Sequence, residues 1–109
     1  MTKSGILYVA ISEYLVPREE VMTHLDEHRA WVKAAYDDGV MLASGPQDPG
    51  PGGVLIYLAR DVEDAERFIT SDPLEVRGVV KYRVTGFQPT SDPWRSPAYD
   101  AFLGGSNGA

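Results

Sequence analysis

The sequence predicts an α+β domain of the ferredoxin-like βαββαβ type, with a four-stranded antiparallel sheet that pairs into a dimeric α+β barrel. Four short segments have strand character and two longer segments have helical spacing, and they alternate in the order of the split βαβ arrangement. The strands are apolar on both faces, but two helices can cover only one face of the sheet. We therefore expect a second copy of the chain to cover the other face.

The four predicted strands are bounded by glycine, proline or serine. The first three are almost wholly apolar, which is typical of burial on both faces, and the fourth alternates apolar and polar residues, which indicates one wet face. They cover residues 6–11, 40–44, 54–59 and 79–87. Residues 47–53 hold two prolines and three glycines, so they predict an irregular connection that can form the rim of a pocket.

Each predicted helix has a start signal and an apolar stripe. The first covers residues 17–38, where Pro17 is tolerated because the first turn needs no N–H donor. The second covers residues 61–71, with Asp61 as a candidate N-cap. Asp72-Pro73 then ends it, since proline cannot continue a helix.

Composition and charge narrow the classes of function. Sixteen acidic residues against ten basic ones give a net charge of −6 without a basic stripe, so we expect no binding to nucleic acid. The chain has no cysteine, which excludes disulfides, thiolate metal sites and cysteine nucleophiles. No apolar run approaches the ~20 residues that span a bilayer, and no signal peptide is visible, so we expect a cytoplasmic protein that does not enter a membrane.

The sequence divides into one domain and a tail. Residues 1–89 are predicted to form the barrel domain, because domains of about 100 residues are common. Residues 90–109 are rich in small residues and prolines, with a disordered end expected. The tail also carries large apolar side chains, at Trp94, Tyr99, Phe102 and Leu103. They are costly to expose, so we expect residues 94–103 to pack on the domain or on a partner subunit.

His28 is the first candidate for chemistry, because histidine is the side chain best suited to proton transfer near neutral pH. It lies on the apolar stripe that passes through Val21, Leu25 and Trp31, so it should face inward. An inward-facing histidine can equally be a hydrogen-bonded structural residue. His24 lies four residues earlier, a spacing that can bind a metal, but no third ligand is apparent and no metal site is predicted.

One hydroxyl and four aromatic residues are candidates for substrate binding. Ser44 lacks the strand-turn-helix setting of a nucleophile elbow, so we predict that it donates a hydrogen bond to a substrate oxygen and does not attack. The aromatic residues can be core or dimer-interface side chains, or they can form the wall of a pocket for a flat ligand. They are Tyr8, Trp31, Tyr57 and Tyr82.

Several short motifs follow one another along the chain. They are Tyr8-Val9, His28 with Trp31, Asp38-Gly39, Leu42-Ala43-Ser44-Gly45-Pro46, Ser71-Asp72-Pro73 and Gly78-Val79. Their order and spacing resemble the YCII-related family over roughly residues 5–88. The resemblance implies a small dimeric α+β barrel and an enzymatic role for a histidine and an aspartate, which His28 and Asp72 match. One member of the family removes chloride from a chlorinated hydroxyhydroquinone, so the resemblance also implies lyase or isomerase chemistry on a small cyclic compound.

A histidine beside a carboxylate can act as a general base, since the carboxylate holds the imidazole in one tautomer and stabilises its protonated form. Asp72 can instead simply cap the turn before Pro73. With the resemblance, we predict a homodimeric enzyme that needs no cofactor. In it His28, oriented by Asp72, moves a proton in the elimination, isomerisation or cyclisation of a small cyclic molecule. The alternatives are a non-catalytic dimer that binds a small molecule or has an accessory role, and a cofactor-free monooxygenase that consumes oxygen.

Overall fold

The computed structural model describes residues 6–90 and 96–104. Strands and helices alternate as β1 (Ile6–Tyr14), α1 (Arg18–Met22), α2 (Leu25–Asp37), β2 (Met41–Pro46), β3 (Gly53–Ala59), α3 (Val62–Ile69), α4 (Pro73–Val76), β4 (Val80–Phe87) and α5 (Pro97–Leu103). The four strands form one antiparallel sheet in the order β2-β3-β1-β4. The predicted α+β class and ferredoxin-like topology are confirmed.

The main core lies between the sheet and α2 and α3. At its centre Tyr8 on β1 pairs with Tyr57 on β3, and the two rings stack with their centroids 6.1 Å apart. On the other side of β1, Tyr8 pairs with Gly86, where a Cβ would overlap the Tyr8 ring. A smaller cluster of Val21, Leu74, Val79 and Val80 joins α1 and α4 to the start of β4. Burial of these apolar side chains is the main force that holds the helices on this face of the sheet.

The predicted first helix is in fact two helices, which corrects the expected single helix over residues 17–38. The hydroxyl of Thr23 donates to the carbonyl of Glu20 at 2.6 Å, and the N–H of His24 donates to the carbonyl of Val21 at 3.0 Å. These bonds close the last turn of α1, and α2 begins at Leu25. In the described part of the chain no helix is long and apolar enough to cross a membrane.

β1 extends three residues beyond the predicted end of the first strand, because its last residues pair with β4. Ser12 and Tyr14 lie opposite Tyr82 and Val80. Ser12 is polar, which made it look like a strand terminator, but its side chain is buried and binds the backbone of Gly53. A polar residue is tolerated in the middle of a strand when its hydroxyl has a partner.

Helix α5 lies on the face of the sheet opposite the other helices. It begins with Ser96 as N-cap, whose hydroxyl accepts from the N–H of Tyr99 at 3.1 Å. The Tyr99 side chain is buried against Leu7 and Leu58, with Phe102 and Leu103 beside it. The tail residues that are described therefore cover one end of this outer face, whereas Trp94 lies outside the described residues. The division into a domain and a tail stays a prediction.

Candidate active site

His28 and Asp72 are in direct contact. His28 is in the first turn of α2, on the side of that helix that faces α4, and Asp72 is the N-cap of α4. The Nδ1 atom of His28 lies 2.9 Å and 3.0 Å from the two carboxylate oxygens of Asp72. The Asp72 side chain is fully buried, and the His28 side chain is 18% exposed. Residues 44 positions apart in the sequence are thus brought together, with the histidine on the solvent side.

Asp72 has two further donors, which is what a buried carboxylate requires. Its Oδ1 accepts from the N–H of Leu74 at 3.1 Å, the usual N-cap bond. Its Oδ2 accepts from the hydroxyl of Tyr82 at 2.5 Å. The result is a connected chain of Tyr82, Asp72 and His28, in which the carboxylate is held from three sides. The capping role and the contact with His28, which sequence reasoning treated as alternatives, occur together.

Tyr82 enters the site from the fourth strand. It lies on the face of β4 that is turned toward the helices, and its backbone N–H donates to Glu75 at 3.3 Å. Burial raises the pKa of its hydroxyl well above the usual value, and the negative charge of Asp72 and the hydrogen bond to it raise it further. The Tyr82 hydroxyl therefore stays protonated and remains a donor to Asp72.

The hydrogen bonds of Asp72 fix which tautomer His28 adopts. A carboxylate can only accept, so Nδ1 of His28 carries the proton in this bond. In the neutral ring Nε2 is then unprotonated, and its lone pair is directed away from Asp72. A histidine held in this way can accept a proton at Nε2, and the neighbouring carboxylate stabilises the imidazolium that results.

One ring contact packs against His28, and one ion pair fastens the helices that carry His28 and Asp72. Trp31, one turn further along α2, stacks on His28 with ring centroids 6.1 Å apart and on Phe68 of α3 at 4.6 Å. On the surface, Arg77 at the end of α4 donates two hydrogen bonds to Glu27 on α2, at 2.9 Å and 2.7 Å. The hydrogen bond from Arg77 lowers the pKa of Glu27, so this ion pair that fastens α4 to α2 is present at neutral pH.

His28 opens onto a cavity of about 620 Å³ between the first two helices and the end of the sheet. The cavity is lined by Ser12, Tyr14, Arg18, Val21, Met22, Leu25, His28, Arg29, Val32, Ser44, Gly45, Pro46, Gln47, Gly50, Pro51, Gly52, Gly53, Val54, Leu55, Leu74 and Tyr82. A second depression of about 670 Å³ next to it contacts Tyr82 but not His28. The cavity that holds His28 is therefore the candidate site.

The glycine-rich loop over residues 47–53 forms one wall of this cavity, as the sequence predicted. The N–H of Gly53 donates to the hydroxyl of Ser12 at 2.7 Å, and Gln47 closes the loop by a bond to the carbonyl of Gly52 at 2.7 Å. Gly52 has a φ of +102°, and a Cβ there would lie 2.5 Å from the carbonyl oxygen of Ser12. Only glycine fits at this position, because the loop approaches β1 so closely.

Of the five residues predicted to bind substrate, two line the cavity and three do not. Ser44 and Tyr82 line the cavity, and the Ser44 hydroxyl lies 2.9 Å from that of Tyr36. Tyr8, Trp31 and Tyr57 do not line it. Tyr8 and Tyr57 are buried in the main core, with the Tyr57 hydroxyl donating to the carbonyl of Ala65 at 2.9 Å, while Trp31 packs behind His28 and donates to Ser71 at 2.9 Å.

Sequence reasoning missed two cavity residues, Arg18 and Arg29. A signal for them exists: Arg18, Met22, Leu25 and Arg29 have the i, i+4, i+7, i+11 spacing of one helix face, and all four line the cavity. The apolar stripe alone does not single out Arg18 and Arg29, because on that criterion both look like ordinary surface residues.

The fold and the site together define a small ferredoxin-like domain with a buried His–Asp pair beside a cavity. The YCII-related domain matches residues 6–88, so the chain belongs to the YCII-related family. No curated protein matches the chain. Among solved structures the chain is similar to 5-chloro-2-hydroxyhydroquinone dehydrochlorinase (TftG) from Burkholderia phenoliruptrix AC1100, in complex with 2,5-dihydroxybenzoquinone. The TM-score is 0.59 at 16% identity, over 77% of this chain and 95% of that one, which shows a shared fold.

Proposed function

We propose that this protein is a small cofactor-independent enzyme in which His28 transfers a proton to or from a small cyclic organic molecule. The observation that carries the proposal is the 2.9 Å bond between Nδ1 of His28 and the buried carboxylate of Asp72, on a ring that also lines the cavity. The cavity volume of about 620 Å³ lies within the range of roughly 300–1,000 Å³ that is typical of small-molecule sites.

Elimination, isomerisation and cyclisation can begin with the same step. Nε2 of His28 accepts a proton from a C–H or O–H group of the substrate, and the electron pair of that bond stays on the substrate as an enolate or phenolate. In an elimination, the electron pair of the enolate forms a new C=C bond while the neighbouring carbon–halogen bond breaks, the halide leaves with the electron pair of that bond, and the imidazolium then releases its proton to water. In an isomerisation or a cyclisation, the imidazolium returns the proton at another atom. Asp72 stabilises the imidazolium between the two steps, and Tyr82 holds Asp72 in position.

The elimination branch has support from the similar fold of a dehydrochlorinase that acts on a chlorinated hydroxyhydroquinone. Removal of hydrogen chloride needs a base for the proton and no external oxidant or reductant. A histidine held by a buried carboxylate supplies such a base. We therefore place halogenated or hydroxylated ring compounds first among the substrates to be tried.

A test of proton transfer does not require the natural substrate. The protein is incubated in D₂O with a panel of cyclic 1,3-diones and hydroxylated quinones, and deuterium incorporation is followed by NMR. Chloride release is measured in parallel with 5-chloro-2-hydroxyhydroquinone. We expect His28→Gln to reduce the exchange rate by roughly 10²- to 10⁴-fold, the usual contribution of a positioned proton-transfer group. His24→Gln is the matched control, because His24 is close in sequence but does not line the cavity.

The two alternatives give different results in the same experiment. A non-catalytic binding or accessory protein binds members of the panel without exchange, and His28→Gln keeps affinity within a few fold. A cofactor-free monooxygenase consumes oxygen with a hydroxylated quinol, which an oxygen electrode detects. Equal exchange by the wild type and His28→Gln contradicts the proposed role of His28.

A further inference from the structure

The charge of the cavity is opposite to that of the protein. The chain has sixteen acidic and ten basic residues, yet no aspartate or glutamate lines the cavity. Its charged lining consists of Arg18 from α1 and Arg29 from α2, and the titratable His28 lies between them in sequence. A concave site with charges of one sign concentrates ligands of the other sign, so this cavity favours an anion.

Arg18 and Arg29 also differ from three other arginines of the described residues, which are held in ion pairs. Arg60 and Arg67 pair with Asp64, and Arg77 pairs with Glu27. Arg18 and Arg29 form no ion pair with any residue of ranges 6–90 and 96–104, which include all the side chains that line the cavity. Their guanidinium groups are therefore available to a ligand.

We propose that Arg18 and Arg29 bind a planar oxyanion of the substrate, either a carboxylate or an ionised ring hydroxyl conjugated to a carbonyl. This inference rests on the proposed function for the position of the reacting atoms, but it concerns recognition and not proton transfer. Arginine suits such groups because its planar fork of N–H donors matches two oxygens at once. The substrate class is thus a small cyclic acid, with the anionic group toward the arginines and the reacting proton toward Nε2 of His28.

The affinity of exposed arginines for an anion should depend on ionic strength and on the planar shape of the guanidinium group. Arg18 and Arg29 are exposed, so ions in solution screen their attraction for the ligand and affinity should fall as ionic strength rises. A lysine in either place keeps the charge but lacks the fork, so Arg18→Lys and Arg29→Lys should bind the anion better than the corresponding glutamine variants and less well than the wild type.

The test compares two ring compounds of similar shape and different charge, benzoate and benzamide, by isothermal titration calorimetry on the full chain. A third ligand, 2,5-dihydroxybenzoquinone, carries ionised ring hydroxyls and separates that source of charge from a carboxylate. We expect the wild type to bind at least one of the two anions more tightly than benzamide. Arg18→Gln and Arg29→Gln should each weaken that binding roughly ten-fold, the value of about one charged hydrogen bond.

Arg67→Gln is the matched control, because Arg67 is an exposed helix residue that is remote from the cavity lining. It should bind like the wild type, and melting temperatures show that all variants are folded. The proposal is overturned if benzamide binds as well as the anions. It is also overturned if neither anion binds at up to about 10 mM, if neither arginine variant weakens binding, or if Arg67→Gln weakens it equally.

The two proposals fail separately. If recognition of the anion fails while His28→Gln still abolishes deuterium exchange, the enzyme uses neutral substrates. If anion binding depends on the arginines while exchange does not depend on His28, the cavity is a binding site for acids without the proposed proton transfer.

Discussion

At the scale of single residues, the candidate site is built around Asp72. It is buried, it accepts from the backbone N–H of Leu74 and from the Tyr82 hydroxyl, and its two oxygens face the His28 ring. Each of these hydrogen bonds restricts the rotation of the Asp72 carboxylate, which would be free in solvent. The imidazole of His28 therefore binds a carboxylate whose position is fixed. Positioning of this kind is what a proton-transfer site requires.

Tyr82 gives a prediction that does not depend on the substrate. Burial and the charge of Asp72 raise its pKa above the unfolded value of about 10. Its contribution to stability is therefore fully present below about pH 10 and is lost as pH rises above that value. The phenolate absorbance of wild type and Tyr82→Phe should superimpose up to about pH 10 in the folded state and differ by one tyrosine after unfolding. A variant that loses one tyrosine titrating near pH 10 while folded would contradict this role.

At the scale of elements, local sequence patterns predicted the four strands and helix α3. The end of β1 depends on contacts with residues distant in the sequence, and the break between α1 and α2 depends on a local hydrogen bond. The apolar spacing continues through Thr23, so nothing in the 3.6-residue period signalled the break between α1 and α2. The break depends on a hydroxyl bond to Glu20, for which threonine competes only when the backbone allows it. Ser12 was read as a strand end because its partner, Gly53, is 41 residues away in sequence.

The site was predictable in part for the same reason. His28 carried a chemical signal of its own, whereas Asp72 was assigned to the site through the resemblance to the YCII-related family, and the contact between the two residues is present in the structure. The bond from Tyr82 could not be foreseen, because it depends on the register of β4 against β1 and on the short helix α4. Arg18 and Arg29 share a helix-face spacing that the sequence shows, but only the structure shows that this face lines a cavity.

Helix α5 gives a prediction for the tail. Tyr99 is 8% exposed and packs on Leu7 and Leu58, so Tyr99→Ala should cost about 1.5 to 3 kcal/mol of unfolding free energy. The control Val76→Ala removes an apolar side chain that is 71% exposed, and it should change stability by no more than about 0.5 kcal/mol. Urea denaturation measures the unfolding free energy of both variants. Equal effects of the two substitutions would mean that α5 is not docked in solution.

At the scale of the whole molecule, the residues that the structure describes cover the outer face of the sheet only in part. α5 covers the end at Leu7 and Leu58, while Val9, Ile11 and Val54 further along the face are half-buried. Phe87 at the edge is 49% exposed. Apolar side chains in one continuous area favour burial against another surface, and a second copy of the chain supplies one with the same shape.

We therefore expect a homodimer in which the two sheets face each other. Light scattering of the wild type at micromolar concentration should give twice the monomer mass. Val9→Lys places a charge in the middle of the outer face and should give monomers, because an unpaired charge is costly to bury. Val62→Lys on α3 should leave the dimer intact, since Val62 is 57% exposed on the helix side. A monomeric wild type, or dimers of Val9→Lys as tight as those of Val62→Lys, would contradict this assembly.

The most direct measurement of the central claim is the state of the His28 ring nitrogens, observed by ¹⁵N NMR in the wild type and in Asp72→Asn. We expect neutral His28 in the wild type to carry its proton on Nδ1 and a lone pair on Nε2, because Asp72 accepts from Nδ1. Asp72→Asn keeps the size of the side chain but replaces a carboxylate that can only accept with an amide that can also donate, so it should shift the tautomer populations of His28. His24 provides the internal reference, since it should be unchanged. A wild-type ring that carries its proton on Nε2, or identical tautomer populations in the two proteins, would contradict the assignment of His28 and Asp72 as a functional pair.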